Sequence, residues 1–256
     1  MLFNLHTHSN FCDHATGDVE EYIKVAVQNG FSELGFSEHA PFTFPDGHQS
    51  HYRLPVERAE EYVETLRALR EKYKNQIKIH IGFEMEYYPL YFKKMLELAK
   101  SVGAEYIIQG QHFIDSEYPN GKYVSYPFTD PEILKQYVID AIAGMETGKF
   151  TYLAHPDLCH FSEDEALYKE EMRKICKASV RLNIPLELNL LGIREGRHYP
   201  NEAFWQIAGE EKAPVIIGFD SHSPNSLGNI EALNKAMETV KKYNLSVVSE
   251  PKIKKL

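Results

Sequence analysis

Two periods of apolar and polar residues take turns along this chain. The opening stretch LFNLH (2–6) reads as a short strand. DVEEYIKVAVQNG (18–30) switches to helical spacing, with Asp18 placed as N-cap, Glu21 three residues on as its capping-box partner, and Gly30 as the stop. ELGFSEH (33–39) is a second strand, and an amphipathic helix follows over about 55–73. IKIHIGFEMEY (77–87) alternates as a strand should, PLYFKKMLELAKSVG (89–103) is helical, and AEYIIQGQH (104–112) is a strand. The rest repeats the scheme. A helix at 130–144 starts on Asp130 and Pro131, where the missing N–H costs nothing. TYLAHPD (151–157) is the fifth strand, followed by a helix over 163–182. PLELNL (185–190), a helix near 201–208, PVIIGFDSH (214–222) and a helix over about 225–243 complete the pattern.

Seven consecutive strand–helix units predict a parallel sheet covered by helices. No Gly/Ser- or Pro-rich linker and no internal repeat divides the chain, so 1–256 is expected to form a single domain. A closed or nearly closed seven-stranded α/β barrel is the first expectation and an open doubly wound sheet its rival. The absence of GxGxxG or GxxxxGK[ST] runs weakens a nucleotide-binding sheet.

Composition narrows the function. The 256 residues are 43% hydrophobic and 25% charged, an ordinary globular balance, with a formal net charge of -9. That charge repels phosphate backbones and argues against nucleic acid as a partner. A small anionic substrate remains compatible, because bound cations would reverse the local sign. Three cysteines without CxxC spacing do not make a disulfide framework. No signal-like segment and no apolar run of membrane-spanning length is visible, so a cytoplasmic protein without a membrane partner is expected.

The histidines carry the chemistry. Of twelve, His6, His8 and His14 crowd behind the first strand, His39 ends the second, His112 the fourth, His155 the fifth and His222 the seventh, with Glu84 ending the third and Asp220 beside His222. In α/β barrels the carboxyl ends of the strands meet on one face. These nine metal-capable side chains from six strand ends are therefore expected to converge. His6 and His8 flank Thr7, so strand alternation points both imidazoles the same way. Neutral imidazole and carboxylate suit zinc, iron or manganese. Any one of these histidines alone would be read as a buried core residue; the set would need many coincidences of position. His48 and His51 fall in a polar loop and read as surface or lid residues, and His80 as a packed strand residue. Cys12 reads as a small buried side chain, and Glu86 as a reserve ligand or a partner for a cationic substrate group.

HTHS, SEHAPF, GFEMEY, QHF, AHPDL and DSH, in that order, resemble the successive motifs of the polymerase and histidinol phosphatase (PHP) superfamily of metal-dependent phosphoesterases. FCDHATG, SEHAPF and NLLGIREGRHYPN resemble more narrowly its histidinol-phosphate phosphatases. The resemblance implies a distorted seven-stranded (β/α)7 barrel holding three divalent ions. It places His6, His8, Glu84 and Asp220 on a first ion, a bridging Glu84 with His112 and His155 on a second, and His14, His39 and His222 on a third. It implies Glu84, Asp220 and Arg194 as catalytic residues, with Arg194 binding phosphate and Arg197 as a further candidate. His160 stands after HPDL, where the pattern leads to a basic residue, and is a candidate to bind phosphate or donate a proton.

The expected reaction is hydrolysis of a small phosphate monoester, L-histidinol phosphate to L-histidinol and phosphate, by a hydroxide shared between two metals. A carboxylate such as Glu86 or Asp115 would receive the ammonium group. Nucleotides or other small phosphate esters are the alternative substrates. An amidohydrolase-like C–N hydrolase, whose barrel also opens with HxH, and a non-catalytic metal protein are the remaining rivals. No ligand is missing, which disfavours the last.

Overall fold

The computed structural model describes residues 2–256. Its elements run β1 (Leu2–Asn4), α1 (Val19–Gln28), β2 (Phe31–His39), α2 (Ala59–Tyr73), β3 (Lys78–Met85), α3 (Phe92–Val102), β4 (Tyr106–Gly110), β5 (Phe113–Ile114), β6 (Lys122–Tyr123), α4 (Pro131–Glu146), β7 (Phe150–Ala154), α5 (Glu165–Leu182), β8 (Leu186–Asn189), α6 (Leu190–Glu195), α7 (Glu202–Glu211), β9 (Pro214–Gly218), α8 (Ile230–Lys242) and β10 (Ser246–Val247). The expected caps form: the Glu21 carboxylate accepts the Asp18 N–H at 2.8 Å, and Asp130 accepts the Glu132 N–H at 2.9 Å. His80 lies mid-strand and bonds Glu33 at 2.6 Å.

The main sheet has eight strands in the order β1-β2-β3-β4-β7-β8-β9-β10, all pairs parallel. It is a curled, half-barrel sheet, which corrects the expected seven strands. β10 adds an eighth beside the first half of β9, pairing Ser246 with Pro214 and Val247 with Val215. At the carboxyl edge the curl closes. Thr7 bridges Ser221, with His8 N–H on the Ser221 carbonyl at 2.8 Å, while the Thr7 carbonyl accepts Ser37 N–H at 2.8 Å. The residues just past β1 thus bind both β2 and the segment after β9. At the amino edge the last residues fill the gap. Val248 and Ile253 pack on the inner apolar cluster, and Leu256 N–H reaches the Glu105 carbonyl at 3.2 Å.

Strand alternation divides the sheet's two faces. Ile107, Leu153, Leu186, Leu188 and Val215 face the helices in the large outer core. Tyr106, Ile108, Tyr152, Ala154 and Ile216 form a smaller cluster inside the curl. Tyr106 dominates that interior, its single hydroxyl proton lying between the carbonyls of Leu5 at 2.8 Å and Phe36 at 3.1 Å. Its ring lies against Gly82 of β3, where any Cβ would overlap it. The shortest elements escaped periodicity, β10 among them. The antiparallel β5–β6 pair and the six-residue α6 are each shorter than the window a pattern needs. Among the described residues no helix is long and apolar enough to cross a membrane.

The interior packing gives a direct expectation. Gly82→Ala should destabilise the fold by about 1–3 kcal/mol through overpacking against Tyr106. Urea denaturation would measure it, and an unchanged midpoint would mean that the ring has room to move.

Candidate functional site

The strand ends bring their donors together around one buried carboxylate. The Glu84 oxygens lie 3.4 Å from His6 Nε2, 3.4 Å from His8 Nε2, 3.1 Å from His39 Nδ1, 3.4 Å from His112 Nε2 and 2.8 Å from His155 Nε2. Asp220 Oδ1 lies 3.4 Å from His6 Nε2, 3.5 Å from His8 Nε2 and 3.4 Å from His222 Nδ1. His14 Nε2 faces His222 Nε2 at 3.0 Å. All nine expected donors are therefore assembled, and the two imidazoles flanking Thr7 do share a face, their ring centroids 5.2 Å apart. Gly110 at the end of β4 makes room, because a Cβ there would overlap the Glu84 carboxylate. His155 and Asp220 hold left-handed backbone, φ 29° and 45°, conformations that non-glycine residues keep only when their surroundings fix them.

The electrostatics call for cations. Burial disfavours charge on Glu84, yet His112, His6 and His39 hold its carboxyl well below the usual range. Burial likewise opposes charging His6, but Asp220, Glu187 and Glu84 together raise it well above an ordinary imidazole. Burial pushes His14 and His222 down to about 4, so both are neutral donors at pH 7. His6 Nε2, His8 Nε2 and Asp220 Oδ1 are buried without a hydrogen-bond partner, an arrangement that needs a reason. Metal ligation supplies one. Ligand atoms of His8, His14, His39 and His222 lie within 4.8 Å of one another, as do those of His6, His155 and Asp220, of His6, His8 and Glu84, and of His39, Glu84 and His112. Imidazole nitrogen and carboxylate oxygen at this density fit divalent metal.

Around these donors stands a second set that orients them. Glu187 on β8, which the sequence reading missed, lies 2.9 Å from His6 Nδ1, and its other oxygen accepts the His155 N–H at 3.0 Å. Its signal was parity: Glu187 and Asn189 alternate with Leu186 and Leu188, so they point into the curl. Asn189 donates to Glu187 at 2.8 Å and to Asp220 at 3.0 Å. Glu86 is spent on His112 Nδ1 at 2.9 Å and Arg53 at 2.6 Å, so it faces no substrate. Glu38 accepts the Ser9 N–H at 2.8 Å and contacts Cys12, which is buried as expected.

A pocket of about 560 Å³ opens over the cluster, lined also by His51, Tyr52, Phe113, Tyr123, Tyr126, Leu158, Leu191, Glu195, Arg197 and Tyr199. Arg197 is half-exposed on this wall, 2.8 Å from Glu195 and 3.2 Å from the Tyr199 hydroxyl. The structure does not bring Arg194 or His160 to the lining. Arg194 instead donates to the main-chain carbonyls of Phe219 at 2.6 Å and Asp220 at 3.0 Å, because the strand end turns both toward α6. His160 stacks on His198 with centroids 3.9 Å apart. Asp115 is exposed and off the pocket. His51 lines the pocket, while His48 stacks on Tyr118.

Fold and site together define a metal-binding α/β protein whose ligands come from the carboxyl ends of a curled parallel sheet. Residues 4–190 match the PHP domain family, and the chain belongs to that family. A probable histidinol-phosphatase of Deinococcus radiodurans is 23% identical over 245 residues, 89% of this chain and 88% of its own length. The histidinol-phosphatase of Bacillus subtilis is 24% identical over 254 residues, 87% of this chain and 94% of its own. The histidinol phosphate phosphatase of Lactococcus lactis, solved with zinc, L-histidinol and phosphate, shares the fold with a TM-score of 0.73 at 20% identity, covering 96% of this chain and 95% of that one.

One carboxylate shared by so many donors makes a sharp expectation. Glu84→Ala should lower bound divalent metal severalfold, read by elemental analysis of the purified protein. Full metal content in that variant would remove Glu84 from the centre.

Proposed function

We propose that the chain, over 1–256, is one catalytic domain that hydrolyses a small phosphate monoester, L-histidinol phosphate, to L-histidinol and phosphate. With its three cysteines all free, we place it in the cytoplasm. The observation that carries the reading is the convergence of nine metal donors beneath a pocket whose wall pairs an arginine with a carboxylate and several aromatic rings. Kinship with the PHP domain family and the names of the Deinococcus and Bacillus relatives support the substrate class.

Three divalent ions, zinc, iron or manganese, would be held by His6, His8, Glu84 and Asp220, by Glu84, His112 and His155, and by His14, His39 and His222. When bound, such ions neutralise phosphate charge and bring the pKa of water toward neutrality. The chain's own residues do the rest. Arg197, on the pocket wall, is placed to donate to the phosphate's non-bridging oxygens through its planar fork. Arg194 acts through the chain: by holding the Phe219 and Asp220 carbonyls it keeps the Asp220 carboxylate aimed at the cluster. Glu195 is the lining carboxylate outside the cluster and suits the ammonium of an amino-alcohol ester. Tyr123 and Tyr126, centroids 5.3 Å apart near the mouth, offer faces to a flat ring. Glu84 and Asp220 supply the negative charge that the ions would need, while burial holds His14, His39 and His222 as unprotonated donors.

Phosphate release from histidinol phosphate, a nucleoside monophosphate and an aryl phosphate tests the reading. Histidinol phosphate should turn over fastest, and chelator treatment should abolish release. Preference for the nucleotide would move the substrate to the alternative class, and activity indifferent to metal removal would sink the metal-dependent reading.

The arginines are separable by kinetics. Arg197→Ala should raise KM roughly 10-fold or more, as expected for lost charge-assisted hydrogen bonds. Arg194→Ala should lower metal retention and kcat with a smaller change in KM. The reverse pattern would make Arg194 the phosphate clamp.

A further inference from the structure

Beside the metal cluster lies a buried ionic group that the proposed reaction does not use. Arg53 is 2% exposed and spends its guanidinium in three directions. Nη2 donates to Glu86 at 2.6 Å, Nε lies 3.0 and 3.1 Å from the two oxygens of Glu117, and Nη1 donates to the Ala40 carbonyl at 2.9 Å. Each partner leads to something different. Glu86 holds His112 Nδ1 at 2.9 Å, and its neighbour nitrogen Nε2 is the one turned to Glu84. Ala40 follows His39 directly. Glu117 belongs to the β5–β6 connection and also takes hydrogen bonds from the hydroxyls of Ser50 and Tyr52, with the Tyr88 hydroxyl at 3.3 Å.

We propose that Arg53 is a positioning residue for the metal centre, acting through Glu86 on His112. The inference rests on the metal-binding reading above and adds to it a residue that touches neither metal nor substrate. The argument is one of competing partners. A carboxylate two strand positions from Glu84, on the same face, is itself a capable ligand and a capable proton acceptor. Unrestrained, Glu86 could rotate toward a cation or leave His112 free to turn. Arg53 binds Glu86 Oε2 and leaves Oε1 for the imidazole N–H, which fixes the His112 ring with its Nε2 lone pair inward. Outer partners of this kind change metal affinity by about 10–100-fold when removed. The other two arms of the same guanidinium tie down the main chain after His39 and the wall that carries Tyr52. A lysine keeps the charge but lacks the three-way planar fork, so it cannot serve all three partners at once.

The test compares metal release from wild type, Arg53→Lys and Glu117→Gln. Each metal-loaded protein is exposed to rising chelator, and retained metal is counted by elemental analysis, with kcat and KM measured on histidinol phosphate. In Arg53→Lys, one equivalent of metal should leave at roughly tenfold lower chelator than in wild type, the others should stay, and kcat should fall more than KM rises. Glu117→Gln leaves the Arg53–Glu86 contact in place; it should retain metal like wild type and show its change in KM. Identical release curves for wild type and Arg53→Lys overturn the proposal. Early release from Glu117→Gln equal to that of Arg53→Lys also overturns it, since the effect would then be general loosening rather than passage through Glu86. If circular dichroism shows Arg53→Lys unfolded, Glu86→Gln weakens the same link, and an unchanged release curve there overturns the proposal. Wild-type protein that holds no metal would instead defeat the metal-binding reading itself, and the wild-type arm shows this separately.

Discussion

The structure depends on keeping one ionised carboxylate out of water. Glu84 is 1% exposed, and five imidazoles approach its oxygens within 3.4 Å. Moving a carboxylate from water into a protein interior costs several kcal/mol unless opposite charge and hydrogen bonds compensate. Imidazoles compensate only in part, and Asp220, also buried, adds a second negative charge. Divalent cations among these ligands would complete the balance, which is the charge that the donor set fits. The fold meets this demand by position alone. Six strands deliver donors at or just beyond their carboxyl ends, and Gly110 clears the space that the Glu84 carboxylate occupies.

Orientation is a separate problem from convergence. An imidazole can ligate through either nitrogen, and the hydrogen bond made by one decides the role of the other. Glu187 at His6 Nδ1 and Glu86 at His112 Nδ1 leave both Nε2 atoms facing the cluster. Each such acceptor brings another buried negative charge, which must be answered in turn. Glu187 is answered by Asn189 and the His155 N–H, and Glu86 by Arg53. The polar layer is thus a chain of compensations spreading outward from Glu84. It is confined to the upper part of the curl, because Tyr106, Tyr152 and Ile216 fill the interior below.

The donors were legible in the sequence because two regularities coincide there. Strand alternation fixes which face a residue takes, and the strand's end fixes how high it sits. His6, His8, Glu84 and Asp220 could be placed by those two facts without any contact being known. Glu187 obeys the same parity, but a single glutamate inside LELN carries no sign that separates a ligand's partner from an ordinary buried acid. Arg194 shows the opposite failure. The family resemblance implies a phosphate contact for it, but the carbonyls of Phe219 and Asp220 take its guanidinium. Arg53, in an irregular loop, left no periodic trace at all. The eighth strand and the β5–β6 pair are two residues long each, below the length at which any period can be read.

That contrast in legibility follows a physical division within the molecule. The metal donors sit at or just beyond the carboxyl ends of the parallel strands, His39 and Glu84 on β2 and β3 and the others on the residues that follow, where bonds such as His8 N–H to the Ser221 carbonyl tie them to the sheet's edge. The pocket wall comes from segments between elements. His51 and Tyr52 lie in the connection after β2, Phe113 and Tyr123 in the short hairpin, and Glu195, Arg197 and Tyr199 at or beyond the end of α6. Tyr126, at the mouth, is 72% exposed. Such segments can change length and residue without disturbing the sheet, since few of their backbone groups belong to its ladder. The metal donors are therefore held by the sheet's edge and the pocket wall by the connections between elements. Arg53 joins the two, because one guanidinium holds both the acceptor behind His112 and the wall that carries Tyr52.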